Sequence, residues 1–162
     1  MTLHERWMKY ALREAQRAYE LKEVPVGAVV VHNNSIIAKG YNQVEMMRDP
    51  TAHAEMIALT AAAAHLESKF LKECILYVTM EPCPMCAGAI VLSRIPAIVF
   101  GCYDPKMGAS GSVMNVTENK KLNHMVHVIG GVLDAECGGL VKEFFGDRRK
   151  NNHENTKITK PH

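Results

Sequence analysis

Near the amino terminus the apolar residues Leu3, Trp7, Tyr10, Ala11, Ala15, Ala18 and Leu21 recur at the spacing of one helix face. The preceding Thr2-Leu3-His4-Glu5 has the form of a capping box, with the Thr2 hydroxyl and the Glu5 carboxylate placed to satisfy free amides. A first helix is therefore predicted to run to about Leu21, with Trp7 in its core-facing stripe. The period then changes. VPVGAVVV and IIAKGYN are β-rich runs flanking the polar turn HNNS, which predicts an antiparallel hairpin.

The loop QVEMMRDP ends in Pro50, a residue suited to open a helix, and the alanine-rich PTAHAEMIALTAAAAHL over 50–66 supplies that helix. CILYVTM lacks polar alternation, as expected of a strand covered on both faces. PCPMCAGAIVLSR is then a short helix, PAIVFG a buried strand, CYDPKMGASGS a Gly- and Ser-rich loop and MVHVIG a fifth strand. A last helix is expected in DAECGGLVKEFFGDRRK, and the polar residues after Lys150 are expected to fray. Helices alternating with strands predict an α/β domain of three layers over residues 1–150, a five-stranded mixed sheet with helices on both faces. No repeat or linker divides the chain.

Composition adds bounds to this picture. The chain has 162 residues, 48% of them hydrophobic and 22% charged, which suits one soluble domain and excludes general disorder. Glu5 and Arg6 stand where a signal peptide needs an apolar core, and no uninterrupted apolar run reaches membrane length, so a cytoplasmic location without membrane contact is expected. The net charge of +2 is too small to argue for nucleic acid alone. From Lys142 onward, however, six lysines and arginines face three acids, an excess of +3.

The five cysteines, an odd number, fit reduced thiols better than a disulfide framework. Cys83 and Cys86 share one side of the first turn of a helix, where free amides and the dipole favour thiolates. This C-x-x-C suits either half of a zinc site or a redox pair, and a third ligand decides. His53 is the candidate, because strand-helix-strand order brings two helix starts to one sheet edge. Two thiolates and a neutral imidazole balance Zn2+ and leave a fourth position to water. Glu55 then serves as proton carrier, although residues two apart on an ideal helix lie ~200° apart; the alternative is an exposed first-turn acid favoured by the dipole. His65 sits too far along the same helix to join, and the other histidines have no ligand spacing.

H-A-E followed by P-C-x-x-C is the signature of zinc deaminases acting on nucleobases. Together with VPVGAVVV, GYNQ, DPTAHAEMIAL, SRI, IVFGCYDPKMGASGS and FFGDRRK, in order over residues 1 to about 150, the chain resembles the bacterial tRNA-specific adenosine deaminases. The resemblance implies a cytidine deaminase-like fold and hydrolysis of adenosine to inosine at the wobble position of a tRNA anticodon stem-loop, by a homodimer with one zinc per subunit. It implies His53, Cys83 and Cys86 as metal ligands and Glu55 as the catalytic proton carrier. Asn42 corresponds to a residue that hydrogen-bonds the base, the Ala54 backbone to a contact beside the zinc, and Val26, Gly27 and Met80 to pocket walls. Asp104 corresponds to a neighbour of the target ribose. Lys106, Ser110 and Ser112 fall on an RNA-facing loop, and Phe145, Arg148 and Arg149 at the aromatic, basic end of the last helix. Gly146 and Asp147 interrupt that basic end, and the tail after Lys150 matches nothing in the family pattern.

Two other readings share part of this pattern. A deaminase of free guanine, cytosine or a nucleoside has the same zinc core without needing the basic helix end. A non-catalytic zinc module would close the site with a fourth protein ligand, Cys74 or Cys102.

Overall fold

The computed structural model describes the backbone of residues 1–159 and side chains through residue 153. Helix α1 (Leu3–Glu20) begins in the expected capping box: Glu5 N donates to Thr2 Oγ1 at 3.1 Å and Thr2 N to Glu5 Oε1 at 3.2 Å. Strands β1 (Gly27–His32) and β2 (Ser35–Tyr41) form the hairpin, turned by Asn33 and Asn34 in the left-handed region at φ 49° and 59°. Asparagine tolerates that conformation, and two such residues in a row make the turn whose twist matches the strands.

The sheet is completed by β3 (Cys74–Met80), β4 (Ala97–Cys102) and β5 (His127–Ile129), in the order β2-β1-β3-β4-β5. β1 is antiparallel to both neighbours, and β3, β4 and β5 run parallel. Mixed pairing follows from connection length: a hairpin turn gives an antiparallel pair, and a crossover helix returns the chain parallel. α3 (Ala54–Leu66) and α4 (Pro84–Leu92) cover one face, where Ala58, Ala62 and Ile90 pack on Val30, Leu76, Val78 and Ile98. α1 and α5 (Asp134–Thr159) cover the other, where Trp7, Met8 and Cys137 pack on Val29, Tyr77 and Val99. Alternate residues of β1 and β3 thus feed opposite cores, which is why those strands read as unbroken apolar runs.

Two glycines let the helix layers sit close. A Cβ on Gly27 would lie 2.1 Å from the Ala11 carbonyl oxygen of α1, and one on Gly40 would lie 2.3 Å from the Ala54 carbonyl oxygen of α3. Ala54, Ala58 and Ala62 are fully buried, so the alanine run presents a thin surface to the sheet.

Three boundaries differ from the sequence reading. The helix expected from Pro50 starts at Ala54, because the Asp49 carboxylate accepts from Thr51 N and Oγ1 at 2.8 and 2.7 Å and holds a turn there. The QVEMMRDP loop contains one helical turn, α2 (Val44–Met47), whose first amides are satisfied by a distant residue: Glu23 accepts from Glu45 N and Met46 N at 2.9 and 2.8 Å. The last helix passes Lys150 to Thr159, where fraying was expected; once packed turns have nucleated it, each added polar residue gains a backbone hydrogen bond. Residues 160–162 of the expected tail lie outside the described residues. No described helix is long and apolar enough to cross a membrane.

Candidate active site

Two helix starts meet at one end of the sheet. His53 is the N-cap of α3, with extended backbone at φ −77° and ψ 152°, and Cys83 is the N-cap of α4, at φ −74° and ψ 172°. An N-cap side chain folds back over the first turn instead of following the helical rotation. It therefore meets the side chains of the second and third helical residues: Glu55 follows His53 in this way, and Cys86 follows Cys83. Neither N-cap spends its side chain on a capping hydrogen bond, which leaves the imidazole and the thiol free to ligate.

His53 Nδ1 lies 3.6 Å from Cys83 Sγ and 3.5 Å from Cys86 Sγ. A tetrahedral zinc with bonds of about 2.0–2.3 Å sets its ligand atoms about 3.5–3.8 Å apart, so both His53–thiol edges already match such an ion, and the three donor atoms all lie within 4.8 Å of one another. Among the described residues no fourth His, Cys, Asp or Glu joins this group. Cys74 and Cys102 are buried in the two cores, away from the fourth-ligand position that a closed structural site would need.

Without a metal the site shares its charge unevenly, with one thiol favoured as thiolate and the other held as thiol. The hydrogen bond from Cys86, outweighing burial and assisted by His53, draws the Cys83 thiol down to about 4, while that same bond and burial push Cys86 up. The hydrogen bond with Cys83 raises His53 against the effect of burial, and Glu55 adds to the rise. Burial pushes the Glu55 carboxyl up to about 7, partly offset by its backbone amide and His53. A carboxyl near neutrality both accepts and returns a proton at physiological pH.

Glu55 is only 4% exposed, yet it borders a cavity of about 790 Å³. His53, Cys83 and Glu55 form its floor, with Cys86 buried beneath. Val26, Asn42, Ala54 and Met80 line the wall. Asn42 Nδ2 donates to the Val24 carbonyl at 3.2 Å, whereas its Oδ1 has no partner, alone among the buried side-chain nitrogens and oxygens of the described residues. An unsatisfied buried acceptor facing a cavity is a contact awaiting a ligand donor. Asp104, Lys106, Phe145 and Arg148 stand at the mouth.

Three residues expected at contacts are turned away from the cavity or the surface, and Arg149 stands outside the cavity. Gly27 turns its open side to α1, and its N–H goes to Thr79 Oγ1 at 3.1 Å, so it packs the layers behind the wall. Ser110 is buried, its hydroxyl accepting from Thr117 Oγ1 at 2.9 Å, so its side chain does not face outward. The Ser112 hydroxyl turns inward to the Glu81 carboxylate. Arg149 is exposed but does not line the cavity.

Two buried carboxylates lining the cavity escaped the sequence reading. Glu23 holds α2, and Glu81 holds the loop 104–112. Burial pushes the Glu81 carboxyl up, but its hydrogen bonds from Ser112, Asp104 and Ser110 prevail and leave it below the usual range. The available signal was a carboxylate closing the apolar strand CILYVTM, with no periodicity to name its partner.

A three-layer sandwich that sets His-Ala-Glu at one helix start against Pro-Cys-x-x-Cys at the next defines a hydrolytic deaminase of the metal-dependent type. The sequence profile of the MafB19-like deaminases matches residues 2–149. The tRNA-specific adenosine deaminase of Bacillus subtilis (strain 168) is 49% identical over 150 residues, covering 93% of each chain. A solved structure from a study of A-to-I editing by tRNA deaminases at the wobble position superposes with a TM-score of 0.80 at 38% identity, over 83% of this chain and 98% of that one. A guanine deaminase structure from Nitrosomonas europaea superposes at 0.77 with 25% identity, over 89% and 85%. The chain belongs to the tRNA-specific adenosine deaminase family.

Proposed function

We propose that this protein converts adenosine to inosine at the wobble position of a tRNA anticodon stem-loop, as a cytoplasmic homodimer holding one zinc ion per subunit. The observation that carries the reading is a buried carboxyl, Glu55, bordering a three-donor metal site at the base of a cavity lined toward solvent by an aromatic and a basic side chain, Phe145 and Arg148. His53, Cys83 and Cys86 would hold the zinc, whose Lewis acidity makes water nucleophilic at neutral pH.

The chain's own groups do the rest. Glu55 takes the proton that water loses on attacking C6 of the adenine, and delivers it to ring nitrogen N1. It then moves a second proton to the exocyclic amine, which leaves as ammonia while the C6 oxygen becomes the inosine carbonyl. Val26 and Met80 flank the base, and Asn42 Oδ1 offers it a hydrogen-bond acceptor. At the mouth, Phe145 suits stacking by an unpaired neighbour and Lys106 and Arg148 suit phosphate contact, which the exposed Arg149 next in sequence extends outside the cavity.

Glu55→Gln tests the mechanism: turnover of an anticodon stem-loop should fall about a thousandfold or more while zinc content is retained. Turnover of free guanine or a free nucleoside by the wild type, with the RNA untouched, would replace this substrate by the small-molecule one.

A further inference from the structure

Glu81 is 3% exposed and has no ion-pair partner among the described residues, yet both carboxylate oxygens are engaged. Oε1 accepts from Asp104 N at 3.1 Å and from the Ser112 hydroxyl; Oε2 accepts from Ser110 N at 3.1 Å and Ser112 N at 3.0 Å. Every one of these donors belongs to the loop 104–112. The loop folds so closely over the carboxylate that a Cβ on Gly108 would lie 2.4 Å from Glu81 Cδ. The backbone on either side is stitched to the same region, Glu81 N donating to the Cys102 carbonyl at 2.9 Å and Ala109 N to the Pro82 carbonyl at 2.8 Å.

The loop's other hydrogen bonds run mostly within its own residues and those just after it, such as Gly108 N to the Asp104 carbonyl at 2.9 Å and Val116 N to the Ala109 carbonyl at 2.8 Å. Met107, Val113 and Met114 are exposed, and only Ala109 and Ser110 of its central residues are buried beside Gly108. Backbone amides turned inward must find an acceptor, and amides converging on one anion make strong, charge-assisted bonds. Glu81 thus supplies from inside the protein the anchoring that an apolar core would give. The lip of the cavity depends on it, because Asp104, Lys106 and Met107 line the mouth from this loop.

We propose that Glu81 is a positioning residue for RNA: it fixes the loop 104–112 as one lip of the cavity, and so governs how the stem-loop is held and not the chemical step. The proposal rests on the substrate assigned above. Replacing Glu81 by Gln keeps the shape but turns an amide NH2 toward donors, so at least one loop amide loses its acceptor.

The test is steady-state deamination of an anticodon stem-loop by the zinc-loaded Glu81→Gln protein, together with amide hydrogen exchange across the loop. KM should rise about tenfold with kcat within about twofold, as expected for the loss of about one charged hydrogen bond. Zinc should stay at one per chain, and exchange at Ser110 and Ser112 should accelerate while α3 stays protected. A fall in kcat or in zinc at constant KM would place Glu81 in the metal turn and overturn the proposal, as would unchanged KM and exchange. Ser112→Ala removes one hydroxyl from an exposed position and decides the matter if Glu81→Gln does not fold: KM should rise about threefold, and no rise counts against the clamp. Exchange is read without substrate, so it judges the clamp even if the wild type leaves RNA untouched, the outcome that would instead sink the assigned substrate.

Discussion

His53 and Glu55 converge because His53 is not a helical residue. Its extended backbone at the N-cap frees its side chain from the rotation that would set residues two apart on opposite sides of α3. The candidate ligand triad was readable from C-x-x-C and a histidine at a neighbouring helix start, whereas the role assigned to Glu55 rests on resemblance, and the N-cap explains only how its side chain comes to lie beside His53. Asymmetry between the thiols has a measurable result. Cys83 is half-exposed and drawn down to about 4, while Cys74, Cys86, Cys102 and Cys137 are buried. After zinc is removed by chelation, iodoacetamide should modify Cys83 first, and reloading the metal should protect it; peptide mass mapping reads both. Early labelling of Cys137, which burial pushes up to about 12, would contradict the packing described.

At the scale of elements, apolar periodicity located α1, a polar turn between β-rich runs located the hairpin, and continuous apolar or alanine-rich runs between breakers located α3, α4 and the parallel strands. What these patterns missed were features set by contacts distant in sequence. α2 forms where Glu23, more than twenty residues earlier, satisfies its first amides, and the start of α3 is delayed by the Asp49 turn. Gly27 shows the same limit: family resemblance put it on the pocket wall, but its backbone touches α1. Gly27→Ala should therefore act on stability, costing about 3 kcal/mol by overpacking, or a fall in Tm of roughly 6–12 °C, with zinc content unchanged in the folded fraction. Calorimetry would settle it, and a neutral Tm would mean that α1 is free to move off the sheet.

For the molecule as a whole, the candidate metal donors come from two helices whose starts, His53 and Cys83, are thirty residues apart in sequence. An ion held there ties the hairpin-α3 half to the β3-α4 half. Binding in thousandfold excess over the dissociation constant stabilises by about 4 kcal/mol, so chelation should lower Tm by roughly 10 °C, reversed by added zinc. An unchanged Tm would show the two halves to be fully locked by packing alone. The basic end of α5 was legible as charge, and its position at the cavity mouth was not, because only the folded chain brings Phe145 and Arg148 across to the α3 start.

The contact of Gly40 with Ala54 then acquires a further meaning. Because the alanines of α3 interpose almost nothing between helix and sheet, they act as a gauge: their thickness sets the height at which His53 arrives opposite the thiols of α4. Leucines in their place would be as greasy and as helical, yet would shim the first turn outward by more than the few tenths of an ångström that three donors at 3.5–3.6 Å can forgive. A run of the blandest side chains in the protein is in that sense its most exacting dimension.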